Sequence, residues 1–170
     1  MTAWAMIPAR GGSKSIPYKN LAELGGRPLI DYGLRAALAS GRFARVICST
    51  EDGRIAEHVR SLGAEVDPRP AELAGDDSAV ADVAREMLTR LSKTETLPDV
   101  LVLIQPTSPF LRVGDIDALL EAMGRDPRFS SGQTVTPVPH NHHAWNQREM
   151  DGAAVRFRFA AERATAYNKQ

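Results

Sequence analysis

Residues 6–20 read MIPARGGSKSIPYKN. An apolar run, Ala5 to Ile7, breaks at Pro8 and opens into a loop that carries the adjacent glycines Gly11 and Gly12 and the cations Arg10, Lys14 and Lys19. A strand that releases a glycine-bearing basic loop from its carboxyl end is a common way for an open α/β sheet to hold a polyphosphate. The glycines let backbone N–H groups approach anionic oxygens, and the basic side chains add charge and donors. The Walker spacing and the Gly-x-Gly-x-x-Gly fingerprint are both absent. The loop nevertheless asks for a nucleotide.

Working outward, the chain has 170 residues, room for one domain with a good core, and its hydrophobic share of 43% is ordinary for a globular protein. Lys plus Arg and Asp plus Glu are both 21, so no global field argues for nucleic acid, and the positive charge is local. Cys48 is the single cysteine; it excludes an internal disulfide, fits a cytoplasmic setting, and in the run RVIC reads as a buried inert thiol. MTAWAMIP lacks a basic leader and reads as a strand, not a signal peptide. No apolar run is long enough to cross a bilayer.

Hydrophobic spacing gives the element order. Ile30, Leu34, Ala37 and Leu38 share a helix face opened by Arg27-Pro28 and stopped at Gly41. Val46 to Cys48 forms a strand, Ile55, Val59 and Leu62 mark a second helix stopped by Gly63, and Ala64 to Val66 forms a third strand. Asp67 to Asp77 reads as a loop, after which Asp77 or Ser78 caps a helix striped by Val80, Val83, Ala84, Met87, Leu88 and Leu91. Val100 to Ile104 is wholly apolar, as in a strand at the middle of a covered sheet. A helix from about Asp115 to Met123, stopped by Gly124, precedes a strand at Gln133 to Val138. The order predicts a three-layer, Rossmann-like α/β fold with a mostly parallel sheet. Residues 140–160 predict a β-hairpin arm turning at Asp151-Gly152, with a second subunit or its own domain covering the apolar side.

The first loop resembles the pattern ARGGSKGIPxKN of the CMP-sugar-acid synthetases (acylneuraminate cytidylyltransferases), departing from it at Ser15, where glycine is usual. Further along, STEDGRIAE, RPAELAGDDS and LIQPTSPFLR are similar to three later motifs of that family, the last with one extra residue before Arg112. The resemblance covers nearly the whole chain. It implies the nucleotide-diphospho-sugar transferase type of fold, a homodimer joined through the hairpin arm, and transfer of CMP from CTP to a nine-carbon sugar acid of the sialic type. Pyrophosphate would leave, with Mg²⁺ or Mn²⁺ as cofactor.

Carried over residue by residue, the resemblance implies that Arg10, Lys14 and Lys19 act on the triphosphate, with Ala9, Gly11, Gly12, Ser13 and Asn20 at the nucleotide. Arg69, Asp76 and Ser78 would form the cytidine pocket, and Gln105, Thr107, Ser108 and Arg112 the sugar end. Plainer readings stand beside these. Arg69 could brace its proline-rich loop, Ser78 could cap a helix, and Arg112 could pair with Asp115 or Asp117. His140, His142 and His143 lack the spacing of a metal site and read as a polar loop, or as part of a partner's sugar site. The family's Asp-x-Asp metal ligands are absent from this sequence, and Lys169 stands in an arginine position. A truncated form, or a nucleotide-binding relative without catalysis, is therefore the alternative to an enzyme, and another sugar is the second alternative.

Overall fold

The computed structural model describes the chain except for residues 14, 76, 138–141, 143, 153 and 162–170. The chain falls into two compact units, Met1–Gly132 and Gln133–Gln170. In chain order the first contains β1 (Ala3–Pro8), a small ribbon of β2 (Glu23–Leu24) and β3 (Arg27–Pro28), α1 (Leu29–Ser40), β4 (Arg45–Thr50), α2 (Gly53–Ser61), β5 (Glu65–Pro68), α3 (Val80–Leu91), β6 (Val100–Leu103) and α4 (Val113–Arg125). The four longer strands make one parallel sheet in the order β5-β4-β1-β6.

Alternation along β1 sets the layers. Ala3, Ala5 and Ile7 join a core with Ile30 and Leu34 of α1, Ile55 and Val59 of α2, and Ile116 and Leu120 of α4. Trp4 and Met6 point the other way, to Val83, Ala84 and Met87 of α3. Successive strand residues face opposite sides, so a strand apolar at every position needs helices on both faces. The result is the three-layer α/β fold predicted from the sequence. Gly41 (φ 63°) and Gly63 (φ 86°) follow α1 and α2 in the left-handed conformation, as their places in the sequence predict. Cys48 is fully buried, and desolvation pushes its thiol up to about 12.

Several local expectations are corrected. Among the described residues the strand expected to be central at Val100 to Ile104 stands at the edge: β1 lies between two neighbours, pairing Met6 with Ile47 on one side and with Leu103 on the other. Among the described residues β6 has a neighbour only on its β1 side, and Leu103 is 43% exposed. Residues 133–137 carry no strand, and Val135 is 80% exposed; β-branched residues favour a strand only where a packed surface receives them. Val138 lies outside the described residues. Asp67 and Pro68 extend β5 rather than beginning a loop, and Ala71–Leu73 forms a 3-10 turn. Ala79, not Asp77 or Ser78, is the N-cap of α3, and it makes no side-chain cap. Gly124 lies inside α4, which runs on to Arg125.

In the second unit, β7 (Arg148–Asp151) and β8 (Ala154–Phe157) form the predicted antiparallel hairpin, with Gly152 (φ 59°) in the turn. Arg148 stacks over the Phe157 ring at 5.0 Å.

Position in the sheet is measurable. Met87→Ala, at a fully buried site, should cost about 2–5 kcal/mol in urea unfolding. Leu103→Ala at the half-open edge should cost less than about 1 kcal/mol, since surface positions lose little. Equal losses would return β6 to the middle of the sheet.

Candidate functional site

The carbonyl of Ser49, near the end of β4, fixes the start of the first loop. It accepts the Ala9 N–H at 3.0 Å, which prolongs the β1 ladder, and also Nη2 of Arg69 at 2.8 Å. The Ser49 hydroxyl in turn donates to Asp67 at 2.8 Å, and the other Asp67 oxygen receives Arg90 from α3. Ala9 is therefore buried scaffold, and Arg69 is held at 8% exposure. Burial lowers the pKa of the Arg69 guanidinium, while the negative charge of Glu51 opposes that fall. Among the described residues its Nε has no hydrogen-bond partner, an uncommon state for a buried charged group and one that an incoming acceptor would relieve.

The second fastening is at Gly11. Its N–H donates to Oε1 of Glu51 at 2.7 Å. Beside it Asp52 caps α2, its Oδ1 accepting the N–H groups of Arg54 and Ile55 at 2.9 and 3.3 Å. Arg54 grips the same carboxylate through Nε and Nη2 and, with the cap bonds, holds the Asp52 carboxyl below its usual range. A β-carbon on Gly11 would lie 2.4 Å from Oδ2 of Asp52 and 2.8 Å from its Cβ, so no larger residue fits.

The far end of the loop folds back on its start. Asn20 donates from Nδ2 to the Arg10 carbonyl at 2.9 Å, and Arg54 lies over the Tyr18 ring at 3.8 Å. Tyr18 (φ 50°) is the non-glycine residue with positive φ among the described residues; Ser15 needs no such conformation.

These fastenings leave a cleft of about 180 Å³ at the carboxyl ends of the strands. From the first loop it receives Arg10, Gly12, Lys19 and Asn20, from the β5 end Arg69, from the approach to α3 Ser78, and from beyond β6 Gln105 and Thr107. Gly11 and Ser13 lie outside its wall, and so does Ser108, whose N–H closes a turn on the Gln105 carbonyl. Arg112 is also outside and pairs with Asp115 at the start of α4. Lys14 and Asp76 lie outside the described residues, as do His140 and His143; His142 is exposed. Pro8, Gly75, Val80, Val83 and Pro106 complete the wall without having been singled out from the sequence, since small and apolar residues carry no chemical signal there. A larger groove of about 420 Å³ runs along α3, but its Arg85 and Arg90 are paired with Asp82, Glu86 and Asp67.

Among the described residues no group of three His, Cys, Asp or Glu side chains can hold a metal. Glu51 is engaged with Gly11, and Asp52 with Arg54 and the α2 cap. These carboxylates do not fit a Mg²⁺ shell as they stand.

The pattern of the Cytidylyltransferase family matches residues 4–152. The chain is 36% identical over 151 residues to an N-acylneuraminate cytidylyltransferase of Oncorhynchus mykiss, covering 89% of this chain and 33% of that protein. It is 39% identical over 111 residues to a CMP-N,N'-diacetyllegionaminic acid synthase of Legionella pneumophila, covering 65% and 48%. A solved CMP:2-keto-3-deoxy-manno-octonic acid synthetase complexed with CTP superposes with a TM-score of 0.64 at 27% identity, covering 75% of this chain and 49% of that one. The chain thus spans between a third and a half of the length of these relatives.

The two loop glycines should behave differently. Gly11→Ala meets Asp52 and should lose about 1–3 kcal/mol in urea unfolding. Gly12→Ala, with open space around it, should change stability by no more than about 0.5 kcal/mol. Equal effects would mean that the loop does not rest on α2.

Proposed function

Because residues 4–152 carry its pattern, this chain belongs to the cytidylyltransferase family, and we propose that it transfers CMP from CTP to the anomeric hydroxyl of a sugar acid, releasing pyrophosphate. The observation that carries this reading is the convergence of Arg10, Lys19, Asn20 and Arg69 with Gln105 and Thr107 on one cleft at the strand ends. Ligands of open α/β sheets sit in that position.

The hydroxyl oxygen, giving up its proton to solvent, bonds to the α-phosphorus of CTP as the bond to the bridging oxygen breaks and pyrophosphate leaves with its electron pair. Such a step needs in-line positioning and charge neutralisation more than covalent help. Arg10 and Lys19, with Lys14, hold the phosphates and stabilise the leaving group. Asn20 contacts the nucleotide while tying the loop through the Arg10 carbonyl. Arg69, short of an acceptor at Nε, supplies a buried cation to the nucleotide. Gln105 and Thr107 receive the sugar acid. Mg²⁺ would accompany the triphosphate, bound by phosphate oxygens and water, and would offset its charge; no step is assigned to it. The acceptor we favour is a nine-carbon sialic-type acid, in keeping with the Oncorhynchus mykiss and Legionella pneumophila relatives. The likeness to an octonic acid synthetase supports an eight-carbon acid as the second reading. The hairpin of β7 and β8 is our candidate for a homodimer contact, and a reducing cytoplasm suits buried Cys48.

The test is pyrophosphate release with CTP, Mg²⁺ and either N-acetylneuraminic acid or 3-deoxy-manno-octulosonic acid, beside calorimetry of CTP binding. Turnover with one acid and not the other assigns the substrate. Arg69→Ala should weaken CTP binding roughly tenfold to a hundredfold, the scale of a lost hydrogen bond to a charged group. Binding without turnover would leave a nucleotide-holding relative, and no CTP binding at millimolar concentration would sink the proposal.

A further inference from the structure

We propose that Glu51 is the protein's own occupant of the phosphate loop, holding the Gly11 N–H until a phosphate oxygen takes its place. The inference rests on the reading of the cleft as a triphosphate site and adds a residue that sets the affinity of that site.

Three observations support it. First, the contact is short and charge-assisted: Gly11 N to Glu51 Oε1 is 2.7 Å, across 40 positions of sequence. It is the single hydrogen bond that Glu51 makes among the described residues, and the side chain is otherwise exposed. Second, Arg10 and Gly12 on either side of Gly11 both line the cleft, and Gly11 between them does not. The middle donor of an anion-binding loop is turned to an internal carboxylate instead. Third, Glu51 is an electrostatic counterweight for Arg69, supporting its positive charge while Arg10 opposes it. A carboxylate that holds a backbone donor of the loop and supports the charge of the Arg69 guanidinium occupies the position that phosphate chemistry would seek.

One N–H cannot serve two anions, and two anions side by side repel. Entry of the triphosphate therefore requires Glu51 to leave, and its return competes with pyrophosphate for the same donor. Glu51 lowers ground-state affinity and speeds clearance of the leaving group. Asp52, the neighbouring carboxylate, cannot take this part, because Arg54 and the α2 cap occupy its oxygens.

Inorganic tripolyphosphate and CTP, titrated by calorimetry into the wild-type chain, Glu51→Asp and Glu51→Ala, test the exchange. Aspartate keeps the charge but shortens the reach by one methylene, and alanine removes both. Both variants should bind tripolyphosphate roughly threefold to tenfold more tightly than wild type, the scale of one net hydrogen bond. The Gly11 amide proton should move upfield in either free variant, having lost a charged acceptor. Saturating tripolyphosphate should bring all three proteins to one common resonance. Equal or weaker binding by the variants, or a Gly11 amide indifferent to Glu51→Ala, would overturn the proposal while leaving CTP binding intact. If no version of the chain binds CTP or tripolyphosphate, the nucleotide reading itself falls, and the exchange falls with it.

Discussion

The missing β-carbon at Gly11 is the constraint from which the cleft follows. With Asp52 committed to the α2 cap and to Arg54, the loop after β1 can rest against the helix start only if nothing projects from that position. Once it rests there, the chain has few routes onward. Asn20 returns to the Arg10 carbonyl, Tyr18 takes a left-handed conformation beneath Arg54, and Lys19 is delivered to the cleft wall. A glycine conserves space here rather than supplying an unusual φ. The unusual φ falls instead on Tyr18, and a stacked guanidinium accompanies it.

Electrostatics show a similar division between local and global effects. A chain of formal net charge zero has no long-range pull on a polyanion. What it has is a cluster of cations at the ends of parallel strands, one of them, Arg69, buried at a desolvation cost. That cost is tolerable because the Ser49 carbonyl accepts from Nη2 and Glu51 contributes negative charge. The same carbonyl also receives the Ala9 N–H, so one backbone oxygen ties the first loop, the central sheet and the buried cation together. Displacing any of the three disturbs the other two.

Much of the fold was legible because burial enforces periodicity. The stripe from Val80 to Leu91, the apolar run of β1 and the glycine stops at Gly41 and Gly63 each follow from a local rule that packing reinforces. The two strand misplacements share a cause: each depended on a neighbour that sequence does not name. An apolar run such as Val100 to Leu103 says that a strand wants cover, not where it stands in the sheet. The β-branched run from Gln133 likewise says that a strand is affordable, not that a partner waits. At the site, the family resemblance named Arg10, Lys19, Asn20, Arg69, Gln105 and Thr107, which line one cleft, and also Ser108 and Arg112, which do not. The contact from Glu51 to Gly11 was not legible, because it joins the ends of two strands and no short-range pattern encodes it.

Size limits what the cleft can do alone. A pocket that buries most of a small ligand usually encloses about 300–1,000 Å³, whereas the cleft here measures about 180 Å³. Its donors are concentrated at the loop and at Arg69, and its other wall is the smooth surface of Val80, Val83 and Pro106. That asymmetry suits a charged, hydrogen-bonding portion of a ligand lying against an apolar one, as phosphate and base do in a nucleotide. On the proposed reading, an acceptor sugar in line with the α-phosphorus would extend past Gln105 and Thr107 toward the exposed turn at Ser108 and Phe110. On that reading phosphate recognition is the part of the chemistry that these residues would determine most closely, and acceptor choice the part left to the rim.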